Sequence, residues 1–235
     1  MAPAFSWKRT PRSEELIETK DHDFSVARKR MVADQIVQRG ISEERVLRAM
    51  LKVPRHLFVE DALGPMAYND RPLHIGLGQT ISQPFIVARM LQALDLKPGE
   101  RVLEIGTGCG YLTALLAETV GHVYSVERIS DLILKARRIL KHLRYQNITL
   151  RLGDGTLGWA KHAPYDAIIV SAASPQIPQP YLDQLGEHGR MILPVGGEEV
   201  QELTLVHRRF GKWETRTLSG CRFVKLKGKH GFKVS

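Results

Sequence analysis

The stretch Val102-Leu103-Glu104-Ile105-Gly106-Thr107-Gly108-Cys109-Gly110-Tyr111 decides how this chain folds. A run of strand character that begins at Arg101 passes directly into a glycine-rich turn, and helical spacing resumes at Tyr111. Glycine tolerates backbone angles closed to other residues and lets a ligand approach the main chain. In an open α/β sheet such a turn lies outside the carboxyl end of a parallel strand, where ligands bind. The spacing is G-x-G-x-G rather than the G-x-G-x-x-G of dinucleotide sites. Glu104 precedes the first glycine by two residues, and a second acid, Glu127, ends the next strand run. A carboxylate there can accept hydrogen bonds from ribose hydroxyls. The pattern fits adenosine without a pyrophosphate better than a nicotinamide dinucleotide, because no phosphate needs the helix N-terminus. A third acid stands at Gly153-Asp154-Gly155, where a carboxylate or amide edge can meet an adenine amino group.

Working outward, strand and helix patterns alternate. Strand runs are expected at 101–105, 122–126, 148–152 and 166–170, with helices over 111–119 and from Ser130, as cap, to 143. Repeated βα units of this length imply a mostly parallel central sheet with helices on both faces. The end differs: 191–193, 203–207 and 214–218 are strand-like, with only turn residues between the last two, which predicts an antiparallel C-terminal edge. Upstream, 26–39 reads as a helix with Val32, Ile36 and Val37 on one face and Gly40 as its stop. A second helix starts at Ser42 as N-cap, carries Val46, Leu47, Met50 and Leu51 on its apolar face, and ends at Pro54. Residues 55–83 show little periodicity and read as a long loop, which in a compact chain is commonly functional. Pro84 suits the first turn of a further helix with Ile86, Met90 and Leu94 in phase. Residues 1–24, polar and mixed in charge with Pro3 and Pro11, read as a poorly ordered extension.

Composition narrows the classes. With 235 residues, 43% of them hydrophobic, the chain can bury a sizeable core in one domain. Its longest apolar runs are far too short to span a bilayer. The apolar patch at 2–7 precedes Lys8 and Arg9, the reverse of a secretory signal, so the expected location is the cytoplasm. The two cysteines, Cys109 and Cys221, form no C-x-x-C pattern, and His56 and His74 have no ligand spacing, so neither a disulfide framework nor a metal is expected. The net charge of +9 brings nucleic acid into consideration. The basic residues are dispersed, however, over 8–12, 28–30, 137–144, 208–212 and 225–233. They read as solvated faces, with no specific nucleic-acid partner and no membrane.

Here a resemblance enters. The block 104–111 is similar to the first motif of class I S-adenosylmethionine methyltransferases. Gly78-Gln79-Thr80-Ile81-Ser82-Gln83-Pro84 closely resembles the signature of the protein-L-isoaspartate O-methyltransferase family. So do Val53-Pro54-Arg55 with Phe58-Val59, Ala67-Tyr68-Asn69-Asp70, the run 123–128, Gly153-Asp154-Gly155, Ala163-Pro164-Tyr165-Asp166 and Pro194-Val195-Gly196. The motifs recur in family order from about 28 to about 226.

The resemblance implies an α/β, Rossmann-like class I methyltransferase fold. Residues 25–235 would form one domain, with N-terminal helices and an active-site loop over 25–83 and the cofactor-binding sheet over 84–235. It implies S-adenosyl-L-methionine as cofactor, S-adenosyl-L-homocysteine as product, and methyl transfer to the free α-carboxylate of L-isoaspartyl residues in damaged proteins and peptides, with repair through a succinimide. Ser82 would be the active-site serine, with Thr80 and Ile81 lining the cofactor pocket beside it. Gly106, Thr107 and Gly108 would pass beneath the methionine part, with Glu104 near it. Glu127 would hold the ribose, with Arg128 adjacent; Asp154 and Gly155 would face the adenine; Gln201 would reach the site from the stretch after Gly196. The expected state is a monomer. Two departures show: Cys109 stands where many relatives have serine, and Ser171-Ala172-Ala173-Ser174 replaces a Thr-Ala-Ala-Pro-like run.

The chemistry fits the residues. An acceptor carboxylate with a pKa near 4 is already ionised at neutral pH, so no strong general base is needed. Ser82 can orient that carboxylate by donating a hydrogen bond, or it can simply cap the helix at Pro84. The alternative functions are a methyltransferase acting on RNA or on a small-molecule carboxylate, and a binding protein that has lost turnover. No Asn-Pro-Pro-Tyr-like segment supports the RNA reading, and the intact glycine turn and Thr80-Ile81-Ser82 oppose the last.

Overall fold

The computed structural model describes residues 24–233, so the extension expected over 1–24 lies, apart from Phe24, outside the described residues. The centre is a seven-stranded sheet built from β3 (Arg101–Ile105), β4 (His122–Glu127), β5 (Ile148–Leu152), β6 (Tyr165–Val170), β7 (Leu185–Gly196), β8 (Gln201–Arg209) and β9 (Lys212–Cys221). Its order is β5-β4-β3-β6-β7-β8-β9. The first five strands in that order are parallel, and β7, β8 and β9 pair antiparallel. The chain moves outward from β3 to β5, then returns to start β6 on the other side of β3. The carboxyl ends of β3 and β6 therefore form the switch point at which such sheets open a crevice.

Alternation along β3 separates two cores. Val102 joins a cluster with Val123, Ala167, Ile169 and Ile192. Leu103 and Ile105 join one with Val126, Ile168 and Val170 on the opposite face. The first cluster also takes most of the buried apolar residues of α2 (Glu44–Lys52), α3 (Pro84–Leu94), α4 (Tyr111–Ala117) and α5 (Ser130–His142), with Met31, Val32 and Ile36 of the N-terminal helix. Among the described residues the second is covered by α6 (Gln179–Gln184), two short 3-10 turns, Gly155–Leu157 and Ala160–His162, and the C-terminal Val224 and Leu226. Helices flank both faces, as expected, but very unequally.

Local chemistry moved several boundaries. The N-terminal helix, α1, runs over 24–39, with a π-helical segment at Met31–Ile36 and a 3-10 turn at Val37–Arg39. A π turn takes more residues per turn than an α turn. The apolar face slips, so Val37, expected inside, is 46% exposed. Gly40 is the left-handed stop (φ 88°). The N-cap of α2 is Glu43, whose carboxylate accepts from Arg45 N, not Ser42. The Ser42 N–H is already taken, donating to Gln92 Oε1 at 2.7 Å. Leu51, placed on the buried face by sequence, is exposed. Ser130 lies inside α5, not at its cap, and the cap position is Ile129.

The largest departure is the loop expected over 55–83. It holds two 3-10 turns, Arg55–Phe58 and Asp61–Met66, and a hairpin of β1 (Leu73–Gly76) and β2 (Gln79–Ile81). The hairpin pairs Leu73 with Ile81 and His74 with Thr80. Strands of four and three residues are too short to leave a periodic signature.

Candidate active site

A cavity of about 880 Å³ opens at the switch point. Two walls of different construction face each other across it. The first is the glycine turn after β3. Gly106 N–H donates to Val126 O at 2.9 Å, and Ser171 N–H donates to Ile105 O at 2.9 Å, binding the ends of β4 and β6 to the turn. Gly108 takes the left-handed region (φ 54°), which aims its N–H at Glu127 Oε2, 2.9 Å away. Glu127 Oε1 accepts Arg128 N–H at 2.8 Å and Ile129 N–H at 2.9 Å, so this one carboxylate also closes the entry to α5. Three main-chain donors fix the Glu127 carboxylate before any ligand arrives, leaving lone-pair capacity on Oε2 for a hydroxyl. Gly155 lies against the same wall: a Cβ there would stand 2.7 Å from Ile105 Cγ2, so only glycine fits.

Beneath this turn lies Glu104, fully buried. Its Oε2 accepts the hydroxyls of Thr113 and Ser125, each at 2.6 Å, and Ser125 Oγ is 2.6 Å from Thr107 Oγ1. Burial pushes its pKa up to about 8, against the opposing pull of the Ser125 and Thr113 hydrogen bonds. Glu104 is thus a floor under Thr107 and not part of the cavity wall.

The second wall is β2 and its continuation, Thr80, Ile81 and Ser82. Long-range side chains hold it. Asp70 Oδ1 accepts Phe85 N–H at 3.2 Å, and Asp70 Oδ2 accepts Gln83 Nε2 at 2.6 Å and pairs with Arg39. The cap of α3 is therefore supplied by Asp70. Gln83 occupies the N-cap position with no side-chain cap bond, and the capping role considered for Ser82 falls away. Arg55 comes from below: its Nε donates to Ala67 O and its Nη2 to Ser82 O, both at 2.7 Å.

Of the residues singled out by sequence, Thr80, Ile81 and Ser82 meet Gly106, Thr107 and Gly108 across the cavity. Glu127, Arg128 and Gly155 complete that lining, with Arg128 exposed at the rim. Three do not reach it. Glu104 is below the turn. Gln201, 1% exposed, donates to Gly197 O and Glu198 O and accepts Phe223 N–H at 2.7 Å, shaping the β7–β8 turn instead. Asp154 turns its carboxylate away: Oδ1 accepts Thr156 N–H at 2.9 Å and Oδ2 accepts Lys229 N–H at 2.9 Å. Burial alone would raise its pKa, but these hydrogen bonds outweigh it and hold the carboxyl below its ordinary value.

Lys229 belongs to a wall the sequence did not announce. Residues 224–232 run as a strap across the Gly155 end of the cavity. Ala173 N–H donates to Val224 O and Leu226 N–H to Ala173 O, both at 2.7 Å; His230 N–H meets Thr156 Oγ1 at 3.1 Å. Val224, Lys225, Leu226 and Phe232 line the cavity, and Lys225 Nζ pairs with Glu198 at 2.6 Å. In sequence this segment shows only basic charge. The other missed contributor is Arg55, which had no role assigned within its motif.

The arrangement fits an adenosine-bearing cofactor: a pre-fixed carboxylate at the second strand end, a glycine floor, and a cavity far larger than one nucleobase. A family model described as Protein-L-isoaspartate(D-aspartate) O-methyltransferase (PCMT) matches residues 27–231. The chain belongs to this family. Among named relatives, it is 54% identical over 212 residues to the protein-L-isoaspartate O-methyltransferase of Syntrophus aciditrophicus (strain SB), covering 89% of this chain and 97% of that one. It is 53% identical over 206 residues to that of Methanoculleus marisnigri (strain ATCC 35101 / DSM 1498 / JR1), covering 88% and 94%. Two solved structures are similar. One is a protein-L-isoaspartate O-methyltransferase with TM-score 0.77 at 27% identity, covering 90% of this chain and 67% of that one. The other is a putative family member from Plasmodium falciparum in complex with S-adenosyl-L-homocysteine, with TM-score 0.71 at 26% identity, covering 86% and 97%.

Proposed function

We propose that this chain transfers a methyl group from S-adenosyl-L-methionine to the free α-carboxylate of L-isoaspartyl residues in damaged proteins and peptides. The observation that carries this reading is the facing of the two walls: the Gly106–Gly108 turn and the Thr80–Ser82 segment share one cavity. When bound, the cofactor supplies an electrophilic methyl group on a positively charged sulfur. The chain's own residues then align an acceptor that is already an anion. Among the described residues no histidine lines the cavity, and burial pushes the Cys109 thiol up to about 11, so it is no nucleophile near neutral pH. Ser82 donates to the acceptor carboxylate; Thr80 and Ile81 flank it. Gly106, Thr107 and Gly108 carry the methionine part, Glu127 with Arg128 the ribose, and Gly155 the adenine. Glu104, Asp154 and Gln201 act at one remove, by holding Thr107, the strap and the Glu198 turn. Transfer annihilates charge, and a dry cavity assists it.

The deciding experiment uses labelled cofactor with paired peptides, one isoaspartyl and one aspartyl. Base-labile label is expected on the first alone. Equal labelling, or label only on RNA or on a small carboxylic acid, overturns the reading. We further read residues 25–235 as one methyltransferase domain in a monomer working in the cytoplasm. Two free cysteines suit a reducing compartment, and no helix among the described residues is long and apolar enough to cross a membrane. Sedimentation at micromolar concentration tests the monomer.

A further inference from the structure

Arg55 presents an unsolved charge. It is 0% exposed, yet among the described residues no carboxylate pairs with it. Its Nε and Nη2 are spent on the carbonyls of Ala67 and Ser82, and its Nη1 finds no acceptor. Its guanidinium sits over the ring of Tyr111, 4.7 Å from the centroid, and its interaction with the buried Tyr111 hydroxyl offsets part of the cost of burying the charge. Tyr111 and Ser82 both line the cavity. A buried cation without a counter-ion is strongly disfavoured. Main-chain carbonyls and an aromatic face offset only part of that. The proposed reaction brings an anion, the acceptor carboxylate, to Ser82.

We infer that Arg55 is a positioning residue whose buried, unpaired positive charge holds the acceptor carboxylate through Ser82 and releases it once it becomes a neutral ester. The inference rests on the function proposed above. Its logic is electrostatic. The Ser82 carbonyl is tied to the guanidinium at 2.7 Å, which fixes the main chain at Ser82 and sets a positive potential behind its hydroxyl. In a site of low effective dielectric that potential reaches beyond the contact atoms. Methyl transfer removes the carboxylate's charge, so the attraction is strongest for substrate, weaker in the transition state and weakest for product. A contact of that kind tightens substrate binding without accelerating the chemical step. It discriminates acid from ester, which favours product departure.

The test compares wild type, Arg55→Lys and Arg55→Met. Each is measured with S-adenosyl-L-homocysteine present, for affinity toward an isoaspartyl peptide and toward the same peptide bearing an α-carboxamide. Wild type is expected to prefer the acid by about tenfold to a hundredfold, the scale of a charge-assisted contact. Arg55→Met should bring the two affinities within about threefold, and Arg55→Lys should keep most of the preference. In methyl-transfer assays Arg55→Met should raise KM by about the same factor while kcat holds or rises, because the lost attraction favoured the substrate over the transition state. A preference for the acid that survives in Arg55→Met, or a loss confined to kcat, overturns the inference. If Arg55→Met fails to bind S-adenosyl-L-homocysteine, Arg55→Gln, which keeps donors for the carbonyls and drops the charge, takes its place. Wild type that binds acid and amide equally overturns the inference outright. Wild type that binds the acid selectively but labels no isoaspartyl peptide sinks the proposed function instead.

Discussion

The two walls of the cavity do the same job by opposite means. The glycine turn is held by main-chain bonds to adjacent strands, Gly106 to Val126 and Ser171 to Ile105, and by one carboxylate at the end of the neighbouring strand, Glu127, which accepts Gly108 N–H. The wall at Thr80–Ser82 is held by side chains reaching in from elsewhere: Asp70, Gln83 and Arg55. The first is rigid because its backbone has nowhere else to go. The second is rigid only while distant partners stay in place. The cofactor side should therefore resist perturbation until its buried carboxylates are touched. The acceptor side should lose turnover from changes that leave cofactor affinity alone.

The largest expected effect tests the floor of the first wall. Glu104 has a pKa near 8 when folded, against an ordinary 4.5, because of burial. A raised pKa means the folded state binds more protons, so this group's contribution to stability falls as pH rises from about 4.5 to about 8 and is flat beyond. Glu104→Gln removes that slope. Relative to wild type it should gain on the order of 3 kcal/mol between pH 4.5 and pH 7, read by chemical denaturation across pH. Parallel curves for the two proteins would mean that folding leaves the Glu104 carboxyl unshifted, and the floor is built otherwise.

Next is Glu127→Ala. It frees three main-chain donors and removes the proposed ribose acceptor, so S-adenosyl-L-homocysteine affinity by calorimetry should fall about tenfold to a hundredfold. An unchanged affinity would move the ribose elsewhere. Smaller is Asp70→Ala on the opposite wall, which loses the cap of α3 and the tie to Gln83. Stability should drop by about 1–2 kcal/mol, with turnover reduced and cofactor affinity within about threefold. A parallel loss of cofactor affinity would show that the walls are not independent. Smallest is Ser82→Ala: turnover at saturating cofactor should fall about fivefold to tenfold, and the melting temperature should hold, since Ser82 caps nothing. Full turnover would strike Ser82 from the site.

The same contrast explains what could be read in the sequence. The β3 strand, the glycine turn and Glu127 were legible because each rests on neighbours: apolar alternation, positive-φ glycines and a strand end. The antiparallel edge followed from two strand runs with only a turn between them. The hairpin was not legible, because β1 and β2 are too short for a period to show. Nor was the buried role of Arg55, since a basic residue between a proline and a histidine looks solvent-facing until Ala67 and Ser82 close over it. Asp154 was placed at the right sheet edge but given the wrong direction, because its partner, Lys229, lies 75 positions away. The strap shows only positive charge, and most of its contacts are made by backbone N–H and C=O groups, which leave no mark on residue type.

That strap also sets a clock. The cavity's first wall is complete when Ser171 has been synthesised, but its cover arrives only with residues 224–232, clasped by Ala173, Asp154 and Thr156. A ribosome must release nearly all of the described chain before the pocket can close on a ligand. Copies still lacking residues 224–232 should therefore hold the cofactor less tightly than copies in which the cover is in place.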